Sequence, residues 1–282
     1  MSNYIYHYTS AEALKNIVQT KAFWITRSEY LNDTTEQEVI ISLLRNFYKR
    51  NNKMSKVVQG FIETKLNEFI KEYNYYILSF SNSDDSLPLW NYYAENDGYN
   101  IGFDLSEIIT IMESYFKSFD EENQVVNTKV EYVDNGYTNE KLLSEIDKLL
   151  LPFIHFGEDD LNNPDKVEII EEVVLELANK SFSIKNSAYS SEKEERIVVI
   201  AKKDSNLTKK EQFRVYQGAF IPYIIFNKEN SPEYKLPIKS IKINPYHKLD
   251  MTRESLLYML NHGDYKELKL DDISISEIPS RY

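Results

Sequence analysis

Hydrophobic and polar positions along this chain switch between two periods, and the switches mark its elements. Asn3–Tyr8 alternates and reads as a short strand. Thr9 or Ser10 can then cap a helix over Ala11–Gln19, where Leu14, Ile17 and Val18 keep helical spacing. KAFWIT (Lys21–Thr26) returns to strand character, and Asn32-Asp33 closes the following loop with turn chemistry. From Glu36 to about Ile70 the period is helical, with Val39, Ile40, Leu43, Leu44 and Phe47 on one stripe and a polar break at Asn51–Lys53. Tyr75–Phe80 is a third strand. Pro88 suits the first turn of a short helix that carries Leu89-Trp90-Asn91-Tyr92-Tyr93-Ala94.

Asp97-Gly98 is a turn signal, and YNIGFD (Tyr99–Asp104) is the strand that follows it. Leu105–Phe119 reads as a helix and Lys129–Tyr132 as a short strand. The stretch 139–183 is dominated by helical periodicity, through Leu142, Leu143, Ile146, Leu149 and Leu150, then Val167 to Leu177. It forms the best candidate for an inserted helical segment. Ile197-Val198-Val199-Ile200 is an uninterrupted β-branched run, the composition of a strand buried on both faces. Lys202–Glu211 is a polar loop or hairpin. Gln217–Phe226, Ile238–Asn244 and Ile273–Ile278 are further strands, and Met251–Asn261 a helix. Many strands with helices early and in the middle predict an α+β fold, and no linker or repeat divides residues 1–282 into separate domains.

Composition narrows the chemistry. At 282 residues the chain can bury a substantial core, and 42% hydrophobic with 28% charged residues is ordinary for a soluble globular protein. Only 7 glycines are present, and neither GxGxxG nor GxxxxGK[ST] occurs, which argues against dinucleotide and P-loop phosphate cradles. With no cysteine, disulfides, thiolate zinc sites and a cysteine nucleophile are excluded. None of the four histidines stands in a metal-ligand spacing, so no metal is expected. No apolar run approaches a membrane span, and a cytoplasmic location is the default. The formal charge of −12 disfavours non-specific adhesion to nucleic acid, though not nucleic acid as a substrate.

The chemically suggestive stretch is SEKEER, Ser191–Arg196, leading into that β-branched run. If the strand begins here, Glu192, Glu194 and Arg196 share one face, with Lys193 and Glu195 on the other. Two sheltered carboxylates on one face can polarise hydroxyl groups. Blander readings stand beside this one. Ser191 and Glu194 also match a helix capping box, and a charge run of this kind is commonly a solvated face. His7 in a tyrosine-rich strand reads more readily as structural than as functional. Trp90 and Tyr93, three apart on a helix, suit a core.

Taken in order, the motifs form a pattern. YHYTS, the tryptophan-containing strand leading to LNDTTE, SFS followed by LWNYYA, YNIGFD and the ExExR segment resemble the bacterial family catalogued as domain of unknown function 2971. Lys185 precedes the glutamates in the same order, and the tail SEIPSRY is of the kind such proteins often have. Tyr189 stands where the family favours tryptophan, and Asn244-Pro245 where Gly-Pro is usual. A second resemblance is to mono-ADP-ribosyltransferases, which combine an early His or Arg on a strand, a central strand with a Ser-x-Ser or Tyr motif, and a late Glu-x-Glu or Glu. The matching positions are His7 with Thr9, Ser79 and Ser81 with Tyr93, and Glu192 with Glu194.

That second resemblance implies a split, mostly antiparallel β-sheet with flanking helices, and NAD as substrate without a Gly-rich loop. It implies cleavage of the nicotinamide–ribose bond through an oxocarbenium-like species. Glu194 would grip a ribose hydroxyl, Glu192 would orient or deprotonate the acceptor, and His7 with Thr9 would hold ribose. Tyr93 would cover the nicotinamide, Ser81 would brace Glu194 or the nicotinamide amide, and Arg27 and Arg196 would reach pyrophosphate. Arg196 could instead pair with a neighbouring glutamate across the strand face. The acceptor would be protein or nucleic acid. The context would be a toxin or an anti-phage defence effector, with an antitoxin or regulator as partner. Two other classes compete: a non-catalytic ligand-sensing or protein-interaction module in which EKEER is a salt-bridged face, and a metal-dependent RNA- or nucleotide-processing enzyme.

Overall fold

A computed structural model describes residues 3–31, 36–94, 97–134, 139–227, 235–247 and 251–279. The expected turn at Asn32-Asp33, most of the LNDTTE motif and the last three residues of the tail lie outside them. The strands are β1 (Tyr4–Thr9), β2 (Phe23–Arg27), β3 (Tyr73–Ser81), β4 (Tyr99–Asp104), β5 (Gln124–Lys129), β6 (Glu131–Val133), β7 (Ile184–Asn186), β8 (Glu194–Lys202), β9 (Gln212–Tyr216), β10 (Ala219–Phe226), β11 (Ile238–Ile243) and β12 (Ile273–Ile275). The helices are α1 (Ala11–Thr20), α2 (Glu36–Arg50), α3 (Lys56–Glu72), α4 (Leu87–Leu89), α5 (Leu105–Lys117), α6 (Glu140–Leu150), α7 (Pro164–Ser181) and α8 (Thr252–His262). The fold is α+β, with a mixed, mostly antiparallel sheet.

The chain divides into two compact units. The first comprises Met1–Arg27, Tyr76–Asn127 and Ser191–Tyr282, and the second Ser28–Tyr75 and Thr128–Ser190. The helical stretch 139–183 falls in the second unit, which also takes in the earlier helices α2 and α3. Its core is built by the helical stripes read from the sequence, Leu43, Leu44 and Phe47 with Ile62, Ile146, Val174 and Leu177 among them. Asn139 and Asn163 cap α6 and α7 by accepting from the backbone N–H groups of Leu142 and Asp165. The short strands β6 and β7 pair in parallel.

In the first unit the strand order is β12-β11-β4-β1-β3-β2-β10-β9, with β8 on β3 and β5 on β8. Ser10 is the residue that caps α1, its hydroxyl accepting from the Ala13 N–H. Apolar residues at alternate positions, such as Ile5, Leu78, Phe80, Ile101, Phe103, Ile197 and Val199, join Ile108, Met112 and Phe116 of α5 in one core. Ile197, Val198, Val199 and Ile200 are all buried, as a run apolar on both faces requires. Between Gln217 and Gly218 the chain turns tightly, both residues with positive φ (49° and 83°). Hence Gln217 belongs to a turn and not to the strand expected over Gln217–Phe226, and the preceding segment forms β9. Pro222 lacks an N–H, and the pairing of β10 with β2 starts at the next residue, Tyr223↔Thr26.

The sheet is split at β3. One pair, Tyr6↔Ser81, joins β3 to β1, and two pairs, Thr26↔Ile77 and Arg27↔Tyr76, join it to β2. Leu78, Ser79 and Phe80 lie between the β1 and β2 contacts, and β3 also pairs with β8. The register also places the points where the chain leaves and rejoins this unit. It leaves after Arg27 and returns at Tyr76, and these two residues are partners across β2 and β3. It leaves again from β5 and returns at β8, which pair with each other.

Candidate functional site

The SEKEER segment does not enter the sheet as one continuous strand. Ser187–Glu192 is a 3-10 turn, and Lys193 takes the left-handed conformation with φ 45°. β8 begins at Glu194. Alternation therefore holds from Glu194 onward, and Glu192 is set by the turn rather than by strand geometry. The reading of Glu192 and Lys193 as strand residues on opposite faces is corrected accordingly.

Glu194 and Arg196 do share a face. The Arg196 Nε donates to Glu194 Oε1 at 2.8 Å and its Nη2 to Oε2 at 3.2 Å, and both side chains are almost wholly buried. This is the cross-face pairing that the i, i+2 spacing permits. Glu192 is buried as well, and one of its carboxylate oxygens accepts a 2.7 Å hydrogen bond from the Tyr93 hydroxyl. Ser81 Oγ donates to the main-chain carbonyl of Glu192 at 2.6 Å. Ser81 thus braces the backbone of the turn, through Glu192 rather than through the Glu194 carboxylate. The next residue repeats the clamp, Asn82 N donating to Lys193 O at 2.9 Å.

Tyr93 is carried by Trp90–Ala94, a π-helical turn that continues α4. Trp90 is fully buried, whereas the Tyr93 ring is 37% exposed. A polar knot fixes this turn. Asp85 accepts from Trp90 Nε1, from Ser276 Oγ and from the Glu277 N–H, all within 3.0 Å. Tyr8 packs edge-on to Trp90 at 4.8 Å and donates its hydroxyl to Ser83 O. Ser81, Tyr93 and Glu192, from three separated segments, therefore meet at one place. Asn82 and Glu195 are bonded on one side of the sheet, so alternation puts Ser81 and Glu194 together on the other.

His7 lies elsewhere. Alternation along β1 sets it with Ile5, opposite Tyr6 and Tyr8, and its ring packs edge-on against Phe23 and Phe80 of the core. Its Nδ1 donates to Ser79 O at 3.1 Å, giving that carbonyl a partner between the points where β3 meets β1 and β2. Thr9 shares that face and is buried. Ser79 enters the geometry through this carbonyl. Arg27 pairs with Tyr76, five residues along β3 from Ser81, roughly 17 Å at 3.3–3.4 Å per residue. Its Nη1 lies 3.6 Å from Glu211, which also accepts from the Tyr76 hydroxyl. His7, Thr9 and Arg27 are thus apart from the Ser81–Tyr93–Glu192 cluster.

Burial holds the His7 pKa below the ordinary 6.5, against the opposing pull of its bond to Ser79 O. The fold favours the neutral ring, so the unfolded chain takes up the proton first as the pH falls. The contribution of His7 to stability is complete above 6.5 and is lost as the pH drops through the lower folded value. Urea midpoints taken from about pH 7.5 down to about pH 5 should fall for the wild type and flatten over that window for His7→Gln. Parallel profiles for the two proteins would refute the assignment.

Strand alternation places Glu195 on the face opposite Glu194, and a charge run of this kind is commonly solvated. Glu195 is fully buried instead, each oxygen accepting from an asparagine amide at 2.9 Å, Asn82 on Oε2 and Asn127 on Oε1. Nothing local signals this, since the two asparagines lie 113 and 68 residues away in the sequence. Among the described residues, no three His, Asp or Glu side chains gather as a metal ion would need, and no helix is long and apolar enough to cross a membrane.

Residues 89–197 match the model of a family described as protein of unknown function, DUF2971. The family resemblance holds over that stretch. The DUF2971 match contains Trp90–Ala94, YNIGFD and the whole of SEKEER through Ile197, so both partners of the Tyr93–Glu192 bond lie inside it. Ser81 and the YHYTS segment lie before its first residue. No curated protein and no solved structure matches the chain.

Proposed function

We propose that this protein binds NAD beside Tyr93 and Glu192 and cleaves its nicotinamide–ribose bond, passing ADP-ribose to a protein or nucleic-acid acceptor or to water. The observation that carries the reading is the bond from a half-exposed tyrosine to a buried carboxylate. The Tyr93 ring offers a face for the flat nicotinamide. Glu192, already accepting from one hydroxyl, is suited to accept from a ribose hydroxyl beside the carbon that becomes positive. As the C–N bond breaks, nicotinamide leaves with the electron pair, and the acceptor bonds to that carbon and gives up a proton. Glu194, its charge balanced by Arg196, lies on the same side of the sheet. His7, Thr9 and Arg27 take no part in this version of the site. A role in toxicity or phage defence would follow from depletion of NAD or modification of the acceptor.

Nicotinamide release from NAD, with and without cell lysate as acceptor source, tests the reading. Glu192→Gln keeps the shape and the Tyr93 contact but removes the charge, and release should fall by at least ~100-fold, the usual cost of losing one such group. Undiminished release by that variant would sink the assignment.

A second reading is favoured by a specific observation. Each glutamate of EKEER is engaged within the chain: Glu192 by Tyr93, Glu194 by Arg196 and Glu195 by Asn82 and Asn127. A ligand-sensing or protein-interaction module would use such carboxylates to hold its shape, and the wild type would then release no nicotinamide.

A further inference from the structure

The sheet of the first unit ends in a hairpin unlike the rest of the surface. All five residues of β9 are exposed, and Phe213, Val215 and Phe220 are 63%, 68% and 69% accessible. On one side β9 pairs with β10; among the described residues its other edge has no strand partner. The register runs Tyr216↔Ala219 to Gln212↔Tyr223 without a shift, and β9 contains neither proline nor lysine. Two of the usual guards of an exposed edge, proline and lysine, are therefore missing.

We propose that this edge pairs with the β9 edge of a second copy, antiparallel, in a two-fold dimer with one sheet running through both chains. Three features single out a second copy over an unrelated strand. The first is hydrogen-bond phase. A two-residue turn closing on Tyr216↔Ala219 directs the main-chain groups of Gln212, Arg214 and Tyr216 toward β10, leaving those of Phe213 and Val215 pointing outward. An axis through Arg214 sets each Phe213 opposite Val215 of the other copy, so every outward N–H and C=O meets a complement.

The second feature is side-chain matching in that register. Phe213 meets Val215 twice on one face, and Gln212 meets Tyr216 twice on the other. The third is charge. The chain carries −12 overall, yet Gln212–Phe226 holds a single charged residue, Arg214. Its guanidinium is drawn back across β10, where Nη2 donates to Thr26 Oγ1 at 3.0 Å. That contact lies two strand spacings, about 10 Å, from the edge, so the two arginines do not confront each other across the axis. The hairpin is where two acidic chains can approach without facing like charges, and its symmetric interface is isologous and closed.

Sedimentation equilibrium of the full chain over a concentration series tests this directly. The wild type should approach twice 33.3 kDa. Val215→Pro removes an outward N–H that β10 does not use, and Phe213→Lys places two like charges beside the axis at a side chain exposed in the single copy. Both variants should sediment at the single-chain mass, with urea midpoints measured at low protein concentration equal to that of the wild type. If Val215→Pro disturbs the hairpin, Phe213→Lys decides alone. A wild type that stays at the single-chain mass, or a well-folded Phe213→Lys that remains doubled, overturns the proposal.

Discussion

Gly98→Ala should be the most damaging glycine-to-alanine change among the described residues. A Cβ at Gly98 would stand 2.0 Å from Ala94 O and 2.5 Å from Thr9 O, both main-chain atoms. Neither can swing aside as a side-chain tip would. Ala94 ends the turn that carries Tyr93, and Thr9 ends β1, where it pairs with Tyr99. Gly98 O also accepts from the Asn244 N–H, so the segment is tethered on its far side. Relief must come from separating the turn from β1, which would open the packing of Trp90 on Tyr8. Overpacking commonly costs about 1–3 kcal/mol, and a backbone clash of this depth belongs at or above the upper end. Urea unfolding of the variant measures it; a midpoint within experimental scatter of the wild type would contradict the close approach.

Arg196→Met should come second. Arg196 is among the largest fully buried side chains, and its removal strips two charge-assisted hydrogen bonds from a carboxylate that is itself 5% exposed. Breaking a buried pair by deleting one partner typically costs about 3–5 kcal/mol, because the other charge stays behind without that partner. Removing both charges is far milder, since well-packed apolar replacements of a buried pair are often neutral. Arg196→Met with Glu194→Leu should therefore recover much of the loss in urea unfolding. If the double variant is no more stable than Arg196→Met, the cost lies in the packing of the arginine rather than in the stranded carboxylate.

What the sequence disclosed depended on how local each cause was. The buried run Ile197–Ile200 and the helical stripes of α2, α6 and α7 follow from periodicity within one element, and the structure keeps them. Pro222 and the pair Gln217-Gly218 act within a residue or two, yet periodicity assigns Gln217 to a strand because glutamine lacks the usual signature of a left-handed residue. β9 went unread for the opposite reason. QFRVY alternates like a half-buried strand but is exposed on both faces, so no core enforces it. The short strand expected over Lys129–Tyr132 is two strands, β5 and β6, that meet at Val130. At the site, the pairing of Glu194 with Arg196 was visible in their spacing. Lys193 hid the break before it, since a lysine gives no warning of a positive φ. The separation of His7 from Tyr93 was beyond sequence, because it depends on which face of β1 each packs.

The two departures of the chain from the first unit begin and end on strands that are already partners: Arg27 beside Tyr76, and β5 beside β8. The excursion between β2 and β3, which are antiparallel, is in topological terms the loop of a β-hairpin, however much folded structure it contains. Closing such a loop costs only about 0.6 kcal/mol more for each doubling of its length. The sheet that carries Ser81, Glu192 and Glu194 is therefore almost indifferent to how much chain is housed in that excursion. Material can be gained or lost there without shifting one rung of the ladder on which the site depends.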